Sequence, residues 1–238
     1  MKLAIIGYGR MGHEIEDAAI LRGHEIGLII DKDNTGDLNG QNLKGIDAAI
    51  EFSLPDTALA NILKCLENGI PVVSGTTGWL GDYEKAAEAC RLHGTSFIHS
   101  SNFSLGVNIL FLLNSHLARI LAAFPGYSPS IEEVHHVKKL DAPSGTAISL
   151  AEGILKQNPH FKGWIKGDAT ADDIIPVSSV REGMVPGIHT ITWNSEIDNI
   201  SLRHESKSRK GLALGAVMAA EYISSRKGVF TMSDILGL

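Results

Sequence analysis

From residue 3 the chain reads Leu-Ala-Ile-Ile, a continuous apolar run of the kind that fills a strand covered on both faces. Three glycines follow. Met11, Ile15, Ala18 and Ala19 then recur at helical spacing until Gly23. Ile26–Ile30 reads as a second buried strand, and "DAAIEFS" supplies a third. Pro55 and Asp56 open a helix through Glu67 whose apolar face is Leu59, Ile62, Leu63 and Leu66. "IPVVSGTTG" is a fourth strand and turn, residues 82–92 a helix, and "SFIHS" a fifth strand. Strict alternation of strand and helix predicts an α/β fold with a doubly wound parallel sheet.

After Asn102 the rhythm changes. The pattern predicts one long helix over about 104–124, then "SIEEVHHV", a helix starting near Ser144, and three strand-like runs: "IIPVSSVRE", "GIHTITWNS" and "DNISLRHES". His189, Ile191 and Trp193 alternate with Thr190, Thr192 and Asn194, and Ile200 and Leu202 alternate with Ser201 and Arg203. That period of two fits antiparallel strands with one wet face. A final helix over about 208–226 carries Leu212, Ala216, Val217, Ala220 and Ile223 on one stripe. Two domains are expected: residues 1–103 with 207–238, and a smaller α+β domain with a mixed or antiparallel sheet at 104–206. There is no internal repeat.

Composition narrows the function classes. A chain of 238 residues with 44% hydrophobic and 20% charged residues can bury a substantial core. Its formal charge of −6 does not favour nucleic acid or an anionic membrane. Asn108, Asn114, His116 and Arg119 interrupt the apolar stretch 105–124, which therefore reads as a buried or interface helix rather than a membrane span. The opening "MKLAIIGYGR" lacks a cleavage site and is a poor signal peptide. Cys65 and Cys90, both on expected helices, show no metal or redox spacing. A reducing compartment is expected, and with it the cytoplasm.

Gly7, Gly9 and Gly12 spell G-x-G-x-x-G between the first strand and the first helix. The first glycine permits a tight turn, the second lets a pyrophosphate approach the backbone, and the third lets helix pack on sheet. The helix then faces the phosphates with free N–H groups. Asp31, at the end of the second strand, could accept from a ribose hydroxyl pair, which suits NADH; Lys32 could pair with a 2′-phosphate, which suits NADPH. Ligands of open α/β sheets lie beyond the carboxyl ends of the strands. Gly75, Thr76 and Thr77 after the fourth strand, and Ser101, Asn102 and Phe103 after the fifth, are thus placed for the nicotinamide half.

"VHHVKKLDAPSGTA" gathers cations ahead of a helix start. Pro143 and Ser144 suit the first positions, and Gly145 and Thr146 expose backbone N–H groups, an anion site. His135, His136 and Lys139 near it make a pocket for a small carboxylate and offer proton chemistry. Hydride reduction of a carbon–carbon or carbon–nitrogen double bond needs such a proton. Adjacent His135 and His136 point to opposite faces of a strand, and no carboxylate or thiol spacing completes a metal site, so no metal is expected.

At "EVHHVKKLDAPSGTA" the chain resembles the 4-hydroxy-tetrahydrodipicolinate reductase (dihydrodipicolinate reductase) family of the diaminopimelate route to lysine. The likeness extends over "GYGRMG", "SGTTGW", "SSNFSLGVN", "REGMVPGIHT" and "GVFTMSDILGL". It implies a Rossmann-type cofactor domain, a mixed-sheet substrate domain, a homotetramer built through those sheets, and NAD(P)H-dependent reduction of a cyclic unsaturated dicarboxylate. By motif it implies His135 as proton donor/acceptor and Lys139 as proton donor. It further implies His136, Gly145 and Thr146 as substrate contacts, and Gly7, Tyr8, Gly9, Arg10, Met11, Asp31, Gly75–Thr77 and Ser100–Phe103 as cofactor contacts. Arg209 matches an arginine near the hinge, and domain closure is expected. The glycine turn is one residue shorter than the G-x-x-G-R-M-G of many members. "EFSLP" stands where many have "DFTxP", and Lys138 is an extra cation. The rival readings are another two-domain nicotinamide-dependent dehydrogenase of a small carboxylate and a non-catalytic dinucleotide sensor. Neither has a use for the histidine–lysine–anion-turn set.

Asp31 and Lys32 pull cofactor choice in opposite directions, each by roughly 1.5–3 kcal/mol. We therefore expect both NADH and NADPH to serve, with kcat/KM values within about a thousandfold (roughly 4 kcal/mol). A wider ratio in steady-state kinetics would show that one of the two residues dominates.

Overall fold

A computed structural model describes residues 1–168, 171–208 and 210–237. Arg209 lies outside the described residues. The chain forms two compact units, Met1–Leu105 with Lys210–Leu238, and Gly106–Arg209.

In the first unit the predicted alternation is realised: β1 (Lys2–Ile6), α1 (Arg10–Leu21), β2 (Glu25–Ile30), β3 (Ala48–Glu51), α2 (Pro55–Glu67), β4 (Val72–Ser74), α3 (Tyr83–His93) and β5 (Ser96–His99). After the second unit the chain returns as α6 (Lys210–Ile223), β11 (Gly228–Phe230) and α7 (Met232–Ile235). All six strands are parallel, in the order β11-β5-β4-β3-β1-β2. Side-chain alternation sends Leu3 and Ile5 to one face and Ala4 and Ile6 to the other. Leu3 and Ile5 pack with Ile15 and Ala19 of α1 and with Ala213, Ala216, Val217, Ala220 and Ile223 of α6. Ala4 and Ile6 pack with Ile62, Cys65 and Leu66 of α2 and Cys90 of α3. Both cysteines are free and buried, and burial pushes the Cys65 thiol up to about 12.

The second unit holds α4 (Leu105–Leu121), β6 (Ser128–His135), α5 (Gly145–Gln157), β7 (Gly163–Lys166), β8 (Ile174–Arg181), β9 (Gly187–Asn194) and β10 (Asn199–Ser206). The sheet order is β10-β9-β6-β8-β7, antiparallel across β10-β9-β6 and parallel across β6-β8-β7. One face takes Ala147, Leu150, Ala151 and Ile154 of α5 and Leu110, Ala118 and Leu121 of α4 onto Ile131, Ile175, Val177, Ile191 and Trp193. The long helix ends three residues before the expected limit. Inside it, Asn114 Nδ2 donates to the Leu150 carbonyl at 2.9 Å, which ties α4 to α5. Among the described residues no helix is long and apolar enough to cross a membrane.

The short strands β7 and β11 and the single turn α7 were not expected from the sequence. At three or four residues each they are too brief for a periodic signal.

Gly215 of α6 is a close-approach position. A Cβ there would stand 1.8 Å from the Phe103 carbonyl oxygen, whereas one at Gly211 meets nothing nearer than 3.6 Å. Gly211→Ala should therefore follow helix propensity and gain at most about 0.5–1 kcal/mol. Gly215→Ala should lose about 1–3 kcal/mol through overpacking. Urea denaturation of both variants checks the opposite signs.

Candidate active site

The strand order of the first unit reverses between β1 and β3, and the loops leaving their carboxyl ends touch there. Gly7 has φ +89, and a Cβ on it would lie 2.1 Å from the Phe52 carbonyl oxygen. Only glycine fits. A Cβ on Gly12 would strike the Gly7 carbonyl oxygen at 2.5 Å, which keeps helix and turn in contact. Gly9 is the N-cap of α1, with no side-chain cap and open space where a Cβ would sit. An uncapped helix start behind a turn with glycine at positions 7 and 9 is the donor set a dinucleotide pyrophosphate requires, so these residues fit that group. Beside them, the Tyr8 hydroxyl donates to Glu16, Arg10 is exposed and Met11 leans on the core. Asp31 and Lys32 stand exposed past β2, and the Asp31 amide donates to Asn34 Oδ1 at 2.7 Å.

The turns after β3 and β4 share one fully buried carboxylate. Glu51 accepts from the Ser53 amide at 2.8 Å, Ser74 Oγ at 2.7 Å and Thr76 Oγ1 at 2.8 Å. Gly75 is held over the Phe52 ring, where a Cβ would come within 2.1 Å. The Thr76 hydroxyl is thus spent inside the fold, and Thr77 is the exposed threonine. The Thr76 carbonyl accepts from Trp79 Nε1 at 2.8 Å and lies 3.0 Å from His99 Nε2. Burial lowers the His99 pKa and favours the neutral ring. After β5, Ser100 Oγ donates to the Asn102 carbonyl at 2.8 Å and the Ser104 amide to Asn102 Oδ1 at 2.9 Å, while Ser101 is exposed. The Phe103 ring is buried in the core, so a ligand contact from it falls to the main chain.

In the second unit, sheet register builds a polar centre. Glu133 pairs across β9 with His189 and across β8 with Ser179, and His135 pairs with Arg181. Glu133 and His135 are two residues apart, so both face the covered side. Glu133 is fully buried. Its oxygens accept the Ser144 amide at 3.1 and 3.0 Å and Arg181 Nη2 at 3.2 Å. His135 Nδ1 lies 3.4 Å from Oε2 and His189 Nε2 3.8 Å from it. The His135 contact is within ion-pair range but misaligned for a hydrogen bond. The two rings meet edge-on at 5.1 Å. Burial alone would raise the Glu133 pKa; hydrogen bonds, from Ser144 first and from Arg181, outweigh it and hold the carboxyl below its usual range. Burial lowers His135 against the opposing pull of Glu133. Burial and the neighbouring His135 push His189 down to about 4.

Ser144 is the N-cap of α5. Its Oγ accepts the Ala147 amide at 3.2 Å and lies 3.2 Å from His189 Nε2. Gly145 is exposed and Thr146 half-buried just beyond. Among the described residues no side chain caps their amides. Lys139 Nζ donates to both oxygens of Asp141 at 2.8 Å. Arg181 braces this loop, donating to the Lys139 carbonyl at 3.3 Å and the Asp141 carbonyl at 2.6 Å. His136 follows β6, half-buried, and Lys138 is exposed. The structure thus brings His135, Lys139 and the α5 start together around Glu133, Arg181 and His189, three residues the sequence reading passed over. A charged residue on the inward positions of "SIEEVHHV" was the available signal. The fold also gathers what linear spacing hid: one ligand atom each from Glu133, His135 and His189 lie within 4.8 Å of one another.

A Rossmann-type sheet with a glycine turn, followed by a second sheet carrying buried acid–base groups, defines a nucleotide-dependent oxidoreductase. Two family models cover the chain: "Dihydrodipicolinate reductase, N-terminus" over residues 1–103 and "Dihydrodipicolinate reductase, C-terminus" over residues 106–236. The protein belongs to the dihydrodipicolinate reductase family. It is 52% identical to the 4-hydroxy-tetrahydrodipicolinate reductase of Christiangramia forsetii over 99% of this chain and 98% of that one. Against the enzyme of the same name from Chromobacterium violaceum identity is 36%, over 94% and 84%. Among solved structures, the dipicolinate-bound dihydrodipicolinate reductase from Paenisporosarcina sp. TG-14 matches with a TM-score of 0.81 and 25% identity, over 97% of both chains.

His189 makes stability depend on pH. The unfolded chain takes up its proton below the ordinary value of 6.5, while the folded ring stays neutral down to about 4. Its contribution is therefore complete above pH 6.5 and is lost on acidification towards pH 4. The total is on the order of 3 kcal/mol. His189→Gln should flatten the stability-versus-pH slope in this window by up to about 1.4 kcal/mol per pH unit, measured by urea denaturation at stepped pH.

Proposed function

We propose that the protein catalyses NAD(P)H-dependent reduction of 4-hydroxy-tetrahydrodipicolinate, by way of dihydrodipicolinate, to tetrahydrodipicolinate in the diaminopimelate route to lysine. The observation that carries this reading is the assembly of His135, Lys139 and the α5 amides on one side of the second sheet, in a chain of this family. The first unit is assigned dinucleotide binding and the second substrate binding and oligomerisation.

The turn from Gly7 to Met11 and the start of α1 take the pyrophosphate, with Asp31 and Lys32 beyond β2 facing the adenosine ribose. Gly75–Thr77 and Ser100–Phe103 border the nicotinamide end, and Glu51 fixes the first of these turns from below. A bound nicotinamide dinucleotide supplies the hydride. The substrate's carboxylates are held by the amides of Gly145 and Thr146 and by His136. Hydride addition leaves negative charge on the ring, and His135 and Lys139 hold and deliver the balancing proton. Asp141 fixes the Lys139 ammonium at the entrance to α5. Arg181 already neutralises Glu133, so we read the Glu133–His135–His189 trio as a buried electrostatic cluster behind the acid–base histidine, with no metal.

The outer face of the second sheet is hydroxyl-rich. Ser130, Glu132, Ser178, Thr190 and Thr192 line a shallow depression of about 320 Å³. We assign the homotetramer to pairing of such faces, and the enzyme to the cytoplasm.

A coupled assay tests the reaction. NADH or NADPH absorbance should fall when the product of the preceding synthase is supplied, and an unchanged trace would refute the reading. Lys139→Ala should lower kcat about 10²–10⁴-fold and leave cofactor affinity, measured by fluorescence titration, nearly unchanged.

A further inference from the structure

The Glu133 carboxylate lies fully buried in the middle strand of its sheet, where a charge is costly unless something uses it. It touches two parts of the proposed machinery at once. Both oxygens accept the amide that opens α5, and Oε2 lies 3.4 Å from His135 Nδ1. The other ring nitrogen passes over Gly187, where even a Cβ would stand 3.1 Å from Nε2. The ring is thus bounded by an anion on the Nδ1 side and a side-chain-free residue on the Nε2 side.

We propose that Glu133 is a positioning residue for the acid–base histidine: its buried carboxylate fixes His135 as the Nδ1–H tautomer, leaves Nε2 as the basic nitrogen, and sets the start of α5 against the same ring. The physical reason is electrostatic. In a buried site the proton of a neutral imidazole resides on the nitrogen facing the anion, and the opposite nitrogen keeps its lone pair. The other charged groups around the ring do not replace it. Arg181 and Lys139 are cations and disfavour the protonated ring, Asp141 is exposed, and His189 is itself kept neutral. The role deepens the reductase reading and rests on it only for the kinetic consequence.

The test uses the full-length, ligand-free protein labelled with ¹⁵N-histidine, the His135 signals being assigned by their loss in His135→Gln. Above its titration range, wild-type His135 should show the Nδ1–H signature. In Glu133→Gln, which keeps an oxygen acceptor for Ser144 and Arg181, the Nε2–H form should become populated. The His135 titration midpoint should also move to lower pH, because the anion that favours the protonated ring is gone. In the reductase assay this variant should lose about 10–100-fold in kcat with KM for the cofactor unchanged. A wild-type Nε2–H signature overturns the proposal without any variant, and so does a Glu133→Gln protein whose tautomer and midpoint match wild type. Absence of reductase activity in wild type would overturn the reaction instead and leave the spectroscopic result standing.

Discussion

The burial of Glu133 is the constraint on which the second unit turns. A carboxylate stripped of water in the middle of a sheet has to collect donors, and here it takes hydrogen bonds from a helix start and a guanidinium, with two imidazoles inside 4 Å. These groups come from different stretches of chain. Satisfying one charge therefore fixes the ends of β6, β8 and β9 and the entry to α5 relative to one another. The loop carrying Lys139 is drawn in too, because the guanidinium that pairs with Glu133 also ties down the Lys139 and Asp141 carbonyls.

The first unit repeats the device with another acid. Glu51 sits where β3 ends, and its donors come from its own turn and from the turn after β4. In both units the loops expected to meet ligand are held from beneath by a fully buried carboxylate, while groups such as Thr77 and Gly145 stay exposed. Rigid support under a polar loop is what allows it to bind without ordering first.

Much of this could be read from the sequence. The strands from β1 to β5 and the intervening helices announced themselves through apolar runs and glycine or proline punctuation. His189, Ile191 and Trp193 were correctly grouped on one face of β9. The resemblance at residues 133–147 pointed to the family that the comparisons then showed. What escaped was whatever depends on register. Nothing in the linear chain says that Glu133 faces His189 across β9 or that His135 lies opposite Arg181 on β8; those pairings exist only once strands far apart in sequence align. The mixed second sheet was expected, but which of its strands run parallel was not legible, for the same reason. Thr76 and Phe103 were placed by position at the ends of strands. The structure shows a hydroxyl and a ring already committed inward, a matter of side-chain direction that strand-end position does not encode.

The route of the chain has a consequence for its birth on the ribosome. One face of the first sheet is covered by α6, which supplies Ala213, Ala216, Val217, Ala220 and Ile223 and is made only after the entire second unit. The early strands emerge with Leu3, Ile5, Ile50 and Val73 covered only in part, by α1, until α6 is made. The inserted unit closes its own core from contiguous chain, so it is the one able to mature first, reversing the usual order in which the amino-terminal part of a protein folds ahead of the rest.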